Sequence, residues 1–187
     1  MFPRPDFFAG ARLNFAENLL FPTAGPSPTS PALITVTERE SDTTETTWAG
    51  LRAAVRQCSN ALRAAGLGPG DVVAGFVSNH AQAIVAMLGA AAVGAVWTGI
   101  SPDNGVSAVL DRLAQIRPSV LFADNGMVYN GKEWAGVEKT VEIAAALKES
   151  GLSRVVMIEN VKGLGLGLEE LKVLGLQAEE YEAFLER

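Results

Sequence analysis

Apolar and polar positions along this chain switch between two periods, and the switches mark its elements. From Trp48 onward, Trp48, Leu51, Val55, Cys58, Leu62 and Ala65 recur every three or four places, the stripe of a helix with one buried face. Thr47 stands at its N-cap and Gly66 at its end. The turn Leu67-Gly68-Pro69-Gly70-Asp71 then leads into an unbroken apolar run, Val72 to Val77, of the kind a strand buried on both faces shows. Asn79 is read as the cap of a helix ending near Gly94, followed by a strand from Ala95 to Thr98. A helix from about Gly105 to Ile116 stops at Pro118, and a strand, Ser119 to Ala123, follows. Val137 to Glu149 predicts a helix and Arg154 to Ile158 a strand. Such alternation predicts an α/β fold: a largely parallel sheet with helices on both faces.

The ends of the chain follow other patterns. After an extended, Pro-rich start, Asn14 with Glu17 three places on signals a short helix from Phe15 to Leu20, stopped by Pro22. Ala32 to Glu38 and Thr43 to Thr47 read as a β-hairpin across the polar turn Ser41-Asp42. Asp124-Asn125-Gly126 and the Val128-Tyr129 pair suggest a second, short hairpin. The tail from Asn160 is read as a glycine-containing linker and a helix near Ala178 to Leu185. The expected division is therefore 1–31, an extended segment with a short helix; 32–160, an α/β subdomain; and 161–187, linker and helix.

Composition narrows the function classes. Fifteen basic against 21 acidic residues leave a net charge of −6, which argues against a nucleic-acid or anionic membrane surface. One cysteine and one histidine leave no internal disulfide and too few soft ligands for zinc, and no metal site is expected. The cytoplasm is the expected location, since Met1-Phe2-Pro3-Arg4 lacks the pattern of a signal peptide. Ala81 to Ile100 is apolar enough to raise a membrane span, but its Ala, Gly and Gln82 content divides it into a buried helix and strand.

Three stretches imitate phosphate loops. Gly126-Met127-Val128-Tyr129-Asn130-Gly131-Lys132-Glu133 fits G-x-x-x-x-G-K but puts Glu133 where a magnesium-binding hydroxyl belongs, and fills the loop with bulky side chains. Gly163-Leu164-Gly165-Leu166-Gly167 lacks the third glycine at dinucleotide spacing, and Thr43-Thr44-Glu45-Thr46-Thr47 has no glycine to curl its amides around an anion. His80 and Cys58 show no catalytic partner in the pattern and read as a helix-start residue and a packing residue. No catalytic residue is assigned.

A resemblance gives these fragments a common meaning. The string Phe8-Ala9-Gly10-Ala11-Arg12-Leu13-Asn14-Phe15-Ala16-Glu17-Asn18-Leu19-Leu20 resembles the opening motif of acid–CoA ligases of the acetoacetyl-CoA synthetase type, within the adenylate-forming superfamily. Thr47-Trp48-Ala49-Gly50-Leu51, Gly68-Pro69-Gly70-Asp71, Gly94-Ala95-Val96-Trp97, Ser101-Pro102-Asp103 and Tyr129-Asn130-Gly131-Lys132 look like later family blocks in the same order. The resemblance implies an enzyme that activates a short keto or carboxylic acid with ATP and Mg²⁺ and transfers the acyl group to coenzyme A.

It further implies that Tyr129, Asn130, Gly131 and Lys132 contact the nucleotide end of coenzyme A, and that Trp97, Thr98 and Gly99 lie near the pantetheine channel. A solvated hairpin tip and plain core packing are the competing readings of these two groups. The phosphate loop, ribose-binding acid, hinge and catalytic lysine of such ligases all lie beyond the matched region. The chain is therefore expected to be inactive alone, to hold no cofactor tightly, and to take the remainder of its own polypeptide as partner. The rival reading is a naturally short, non-catalytic α/β binding or interaction module.

Overall fold

A computed structural model describes residues 3–6, 8–38 and 43–187. Helix α1 (Phe15–Leu20) is capped as expected, with Asn14 Oδ1 accepting from Glu17 N at 3.1 Å. The same side chain donates to Ala91 O at 2.9 Å, and Arg52 Nε donates to Leu20 O at 2.8 Å, so two side chains pin the N-terminal segment to the helices behind it. Strands β1 (Pro31–Thr35) and β2 (Thr44–Thr47) form the expected antiparallel hairpin. Its anticipated turn, Ser41-Asp42, lies outside the described residues.

From there α2 (Trp48–Ala64), β3 (Val72–Phe76), α3 (Ala81–Ala92), β4 (Val96–Ile100), α4 (Val106–Ile116) and β5 (Val120–Asp124) alternate. A second hairpin, β6 (Gly126–Tyr129) and β7 (Lys132–Ala135), interrupts the alternation. Then α5 (Val137–Lys148), β8 (Arg154–Ile158), α6 (Leu168–Val173), β9 (Gln177–Glu180) and α7 (Tyr181–Leu185) complete the chain. Five strands make one parallel sheet in the order β4-β3-β5-β8-β9. Side chains alternate across it: Val73, Val120, Phe122, Val156 and Ile158 join the core under α2, α3 and α7, whereas Ala74, Phe76, Leu121, Val155 and Met157 join that under α4, α5 and α6. The α/β expectation holds.

Four local expectations need correcting. His80, not Asn79, caps α3, because its Nδ1 accepts from Ala83 N at 3.2 Å. Ser101-Pro102-Asp103, whose residue types read as a turn and helix cap, forms the turn, with Asn104 N donating to Ser101 O at 3.1 Å, but Gly105 occupies the N-cap of α4. The second hairpin turns at Asn130-Gly131, both at positive φ, and not at Asp124-Asn125-Gly126. The tail helix begins at Tyr181, since Gln177 to Glu180 pair with β8 as a fifth parallel strand and Arg154 reaches across to Glu179 and Gln177. Local polarity hid that strand: its Gln and Glu residues read as surface, yet Tyr181 and Phe184 just beyond it are buried against Phe122.

Cys58 packs as expected. It is fully buried on α2, and a methyl group added at Gly89 of α3 would stand 2.7 Å from its Sγ, so the two helices meet closely here. Burial pushes the thiol up to about 12 from an ordinary 9.0, and it raises the neighbouring Tyr181 phenol from 10.0 in the same sense. In both cases the folded state holds its proton longer than the unfolded chain, so stability is intact below pH 9.0 and falls as pH rises. Each group contributes a slope of about 1.4 kcal/mol per pH unit once its unfolded counterpart ionises. Urea midpoints between pH 8 and 11 are expected to drop in wild type and to drop less steeply in Cys58→Ala; parallel curves would contradict the assignment.

Candidate functional site

In open parallel sheets the ligand crevice lies where strand order reverses, at the carboxyl ends of the strands. Here β4 lies on one side of β3, and β5, β8 and β9 lie on the other, so the reversal falls between β3 and β5. Polar side chains crowd that edge. Asp124, whose side chain is wholly buried at the end of β5, accepts from Ser78 N at 2.7 Å through Oδ2 and meets His80 Nε2 at 2.9 Å through Oδ1. Because His80 Nδ1 already accepts from Ala83 N, the ring proton must sit on Nε2 and point at Asp124. Both nitrogens are thus committed, and the pair orients the start of α3 without offering a free base.

Next to it, buried Asn125 uses every polar capacity of its amide. Nδ2 donates to Val161 O at 2.9 Å and Leu164 O at 3.0 Å, while Oδ1 accepts from Asn160 N and Val161 N at 3.0 Å each. Its main chain continues outward, donating to Ile158 O at 3.0 Å and accepting from Gly136 N at 2.8 Å. One residue therefore ties together the loop after β8 and both roots of the β6–β7 hairpin.

The proposed pantetheine group, Trp97, Thr98 and Gly99, falls on β4, the outer strand beside β3. Trp97 is half-buried, its ring centroid 6.3 Å from that of Phe122, and a methyl at Gly75 would lie 2.5 Å from its indole. That contact is packing across the sheet. Gly99 is exposed, and together with Trp97, Ser78, Met87 and Ile100 it lines a cavity of about 250 Å³ at the carboxyl ends of β3 and β4.

The other predicted group, Tyr129, Asn130, Gly131 and Lys132, forms the exposed tip of the β6–β7 hairpin. Asn130 and Gly131 have φ of 53° and 69°, and their consecutive N–H groups converge on the Glu38 carboxylate, at 2.9 Å to Oε1 and 2.8 Å to Oε2. The Gly131 N–H first, and that of Asn130 after it, hold this carboxyl below its usual range. Below the tip, a cavity of about 650 Å³ separates the two hairpins, lined by Thr35, Thr44, Glu38, Glu133, Asn160 and Lys162. The cavity beside Trp97 and Gly99 is a different one, so the two predicted groups do not share a pocket.

The phosphate-loop imitations resolve structurally. Gly126 to Glu133 spans β6, the tip and β7, so Lys132 and Glu133 lie on a strand where a phosphate loop would open its helix. Thr44 to Thr47 form β2, and Thr47 Oγ1 caps α2 by accepting from Gly50 N at 3.1 Å. The glycine run 163–167 is pinned by Asn125 at Leu164 and packed against Val137 at Gly167. Among the described residues, no group of three or more His, Cys, Asp or Glu gathers as a metal cage, and no helix is long and apolar enough to cross a membrane.

Sequence reading missed Glu38, the Asp124–His80 pair and the Asn125 clamp. Glu38 lies 92 residues from Asn130, and no local pattern reports such a contact. Asn125 carried a signal, an Asn ending an apolar strand, but that signal is shared with ordinary turns.

Comparison with known proteins accords with this geometry. The AMP-binding enzyme family model matches residues 21–171. The chain is 46% identical over 165 residues to a malonamoyl-CoA synthetase of Penicillium aethiopicum, covering 88% of this chain and 22% of that protein. It is 41% identical over 157 residues to the acetoacetyl-CoA synthetase of Mus musculus, covering 84% of this chain and 23% of the relative. The solved acetoacetyl-CoA synthetase from Streptomyces lividans superposes with a TM-score of 0.81 at 36% identity, over 97% of this chain and 26% of that one. The chain thus spans less than a quarter of the length of the curated relatives quoted. With the family model covering most of its length and the fold retained, the chain belongs to the AMP-binding enzyme family and is similar within it to the acetoacetyl-CoA synthetases.

Proposed function

We propose that this chain is the scaffold and part of the coenzyme A side of an acid–CoA ligase. Such an enzyme joins a short keto or carboxylic acid to AMP at the expense of ATP, releasing pyrophosphate, and then passes the acyl group to the thiol of coenzyme A. The supporting observation is the 36% identity to an acetoacetyl-CoA synthetase maintained over 97% of the chain, with the backbone preserved. In this reading the hairpin tip meets the nucleotide end of coenzyme A: Tyr129 offers a stacking face, the Asn130 and Gly131 amides two donors, and Lys132 a point charge in an acidic protein. The thin pantetheine arm passes Gly99, which has no side chain to obstruct it. ATP and Mg²⁺ are handled by segments outside this chain.

Replacement of the corresponding quarter of the Streptomyces lividans enzyme by these 187 residues tests the reading. The chimera is expected to form AMP in a reaction dependent on both acetoacetate and coenzyme A. A folded chimera that makes no thioester with any short acid would favour a non-catalytic module instead.

A further inference from the structure

The hairpin tip already holds an anion of its own. Two consecutive left-handed residues present their amides side by side, and both bond one carboxylate at 2.8 and 2.9 Å, the arrangement a phosphate group would otherwise take. That carboxylate comes from Glu38, just past β1 and far away in sequence, so the contact joins two hairpins that no backbone ladder joins. Glu38 is exposed and the tip is exposed, so among the described residues nothing buries the pair, and solution anions have access to the same two donors.

We propose that Glu38 is a built-in competitor at the hairpin tip, occupying the Asn130 and Gly131 amides and yielding them only to a phosphoryl group that outbids a tethered carboxylate. This rests on the reading of the tip as a phosphate-contacting element, and it assigns Glu38 the role of setting the affinity threshold there. A tethered carboxylate acts at a high effective concentration, so weak anions such as acetate or free acid substrate are excluded. A dianionic phosphate carries more charge and more acceptor oxygens than a carboxylate, and Lys132 beside the tip adds a cation that serves the incoming group. Glu38 is thereby expected to set a threshold, weakening all anions at the tip while preserving the order among them.

The test is an amide-resolved titration of the 187-residue chain with inorganic phosphate, in wild type and Glu38→Gln, reading the Asn130 and Gly131 resonances. The half-saturating phosphate concentration is expected to fall on the order of tenfold in Glu38→Gln. Equal midpoints in the two proteins, or no response in either, would overturn the proposal. In phosphate-free buffer the same two wild-type amides are expected to shift together as Glu38 takes up its proton in acid, and Glu38→Gln to lack that step; amides insensitive to Glu38 would also overturn it. Adenosine 3′,5′-bisphosphate separates this inference from the one it rests on. If it binds Glu38→Gln no better than inorganic phosphate does, while the tenfold difference persists, Glu38 competes as proposed and the coenzyme A assignment fails.

Discussion

Replacing Asn125 by alanine is expected to destabilise the chain by about 3 kcal/mol, the largest loss for a single polar side chain here. The variant removes both acceptor bonds and both donor bonds of a fully buried amide, and Leu164 O and Val161 N then face a void. Asn160 N keeps its second partner, Ile158 O at 3.0 Å, which limits the damage. Asn125→Asp keeps the shape and exposes the cause. A carboxylate oxygen would replace Nδ2 between two carbonyl oxygens, so the folded state would favour the protonated acid. Its folded pKa would be raised, giving stability that is retained below about pH 4 and lost as pH rises toward 7. Urea midpoints should therefore fall with pH in Asn125→Asp and stay level between pH 5 and 7 in Asn125→Ala. Because Asn125 roots the β6–β7 hairpin, Asn125→Ala should also broaden the Asn130 and Gly131 resonances.

Asp124→Ala is the second large effect, at about 2 kcal/mol. It leaves Ser78 N without its acceptor and frees the His80 ring, whose orientation lets Nδ1 cap α3. Asp124→Asn should cost about half as much, since an amide can accept from one donor while its own NH₂ opposes the other. The readout that bare destabilisation would not move is the histidine itself. His80 is the chain's only histidine, so its ring nitrogens can be read without assignment, and wild type is expected to show the Nε2–H form alone. A mixture of tautomers in wild type would contradict the capping geometry. A mixture is the expected result for Asp124→Ala.

The contrast between what the sequence disclosed and what it hid is physical. The sheet and its helices were legible because burial imposes a period: the Cys58 and Leu62 stripe, the apolar runs of β3, β5 and β8, and the capping residues Asn14 and Thr47 are all local signals. Strand β9 was not, because an outermost strand with Gln and Glu carries no apolar alternation, and its place depends on Arg154 reaching sideways from β8. A hairpin tip is one of the two readings of residues 129–132 and the turn falls there, at Asn130-Gly131, although Asp124-Asn125-Gly126 carries a similar local signal. Glu38, Asp124 paired with His80, and Asn125 clamping residues 160–164 are contacts across tens of residues, set only once the chain has folded. Trp97 illustrates the limit from the other side: its aromatic signal fits a channel wall or a core, and the indole rests on Gly75 while its edge lines a small cavity.

As proposed, this member of the AMP-binding enzyme family carries scaffold and tip but not the machinery that handles a triphosphate. The three stretches with phosphate-loop character fold as a hairpin, a strand with its helix cap, and a pinned glycine loop; of the three, the hairpin tip alone converges amides on an anion, two of them on one carboxylate, and none wraps a run of amides and a magnesium-binding hydroxyl round a triphosphate. Acid-dependent exchange of labelled pyrophosphate into ATP, measured on the purified 187-residue chain with acetoacetate, reports adenylate formation directly. Exchange at the level of the enzyme-free blank is the predicted result. Exchange above that blank, retained through repurification and dependent on the acid, would contradict it.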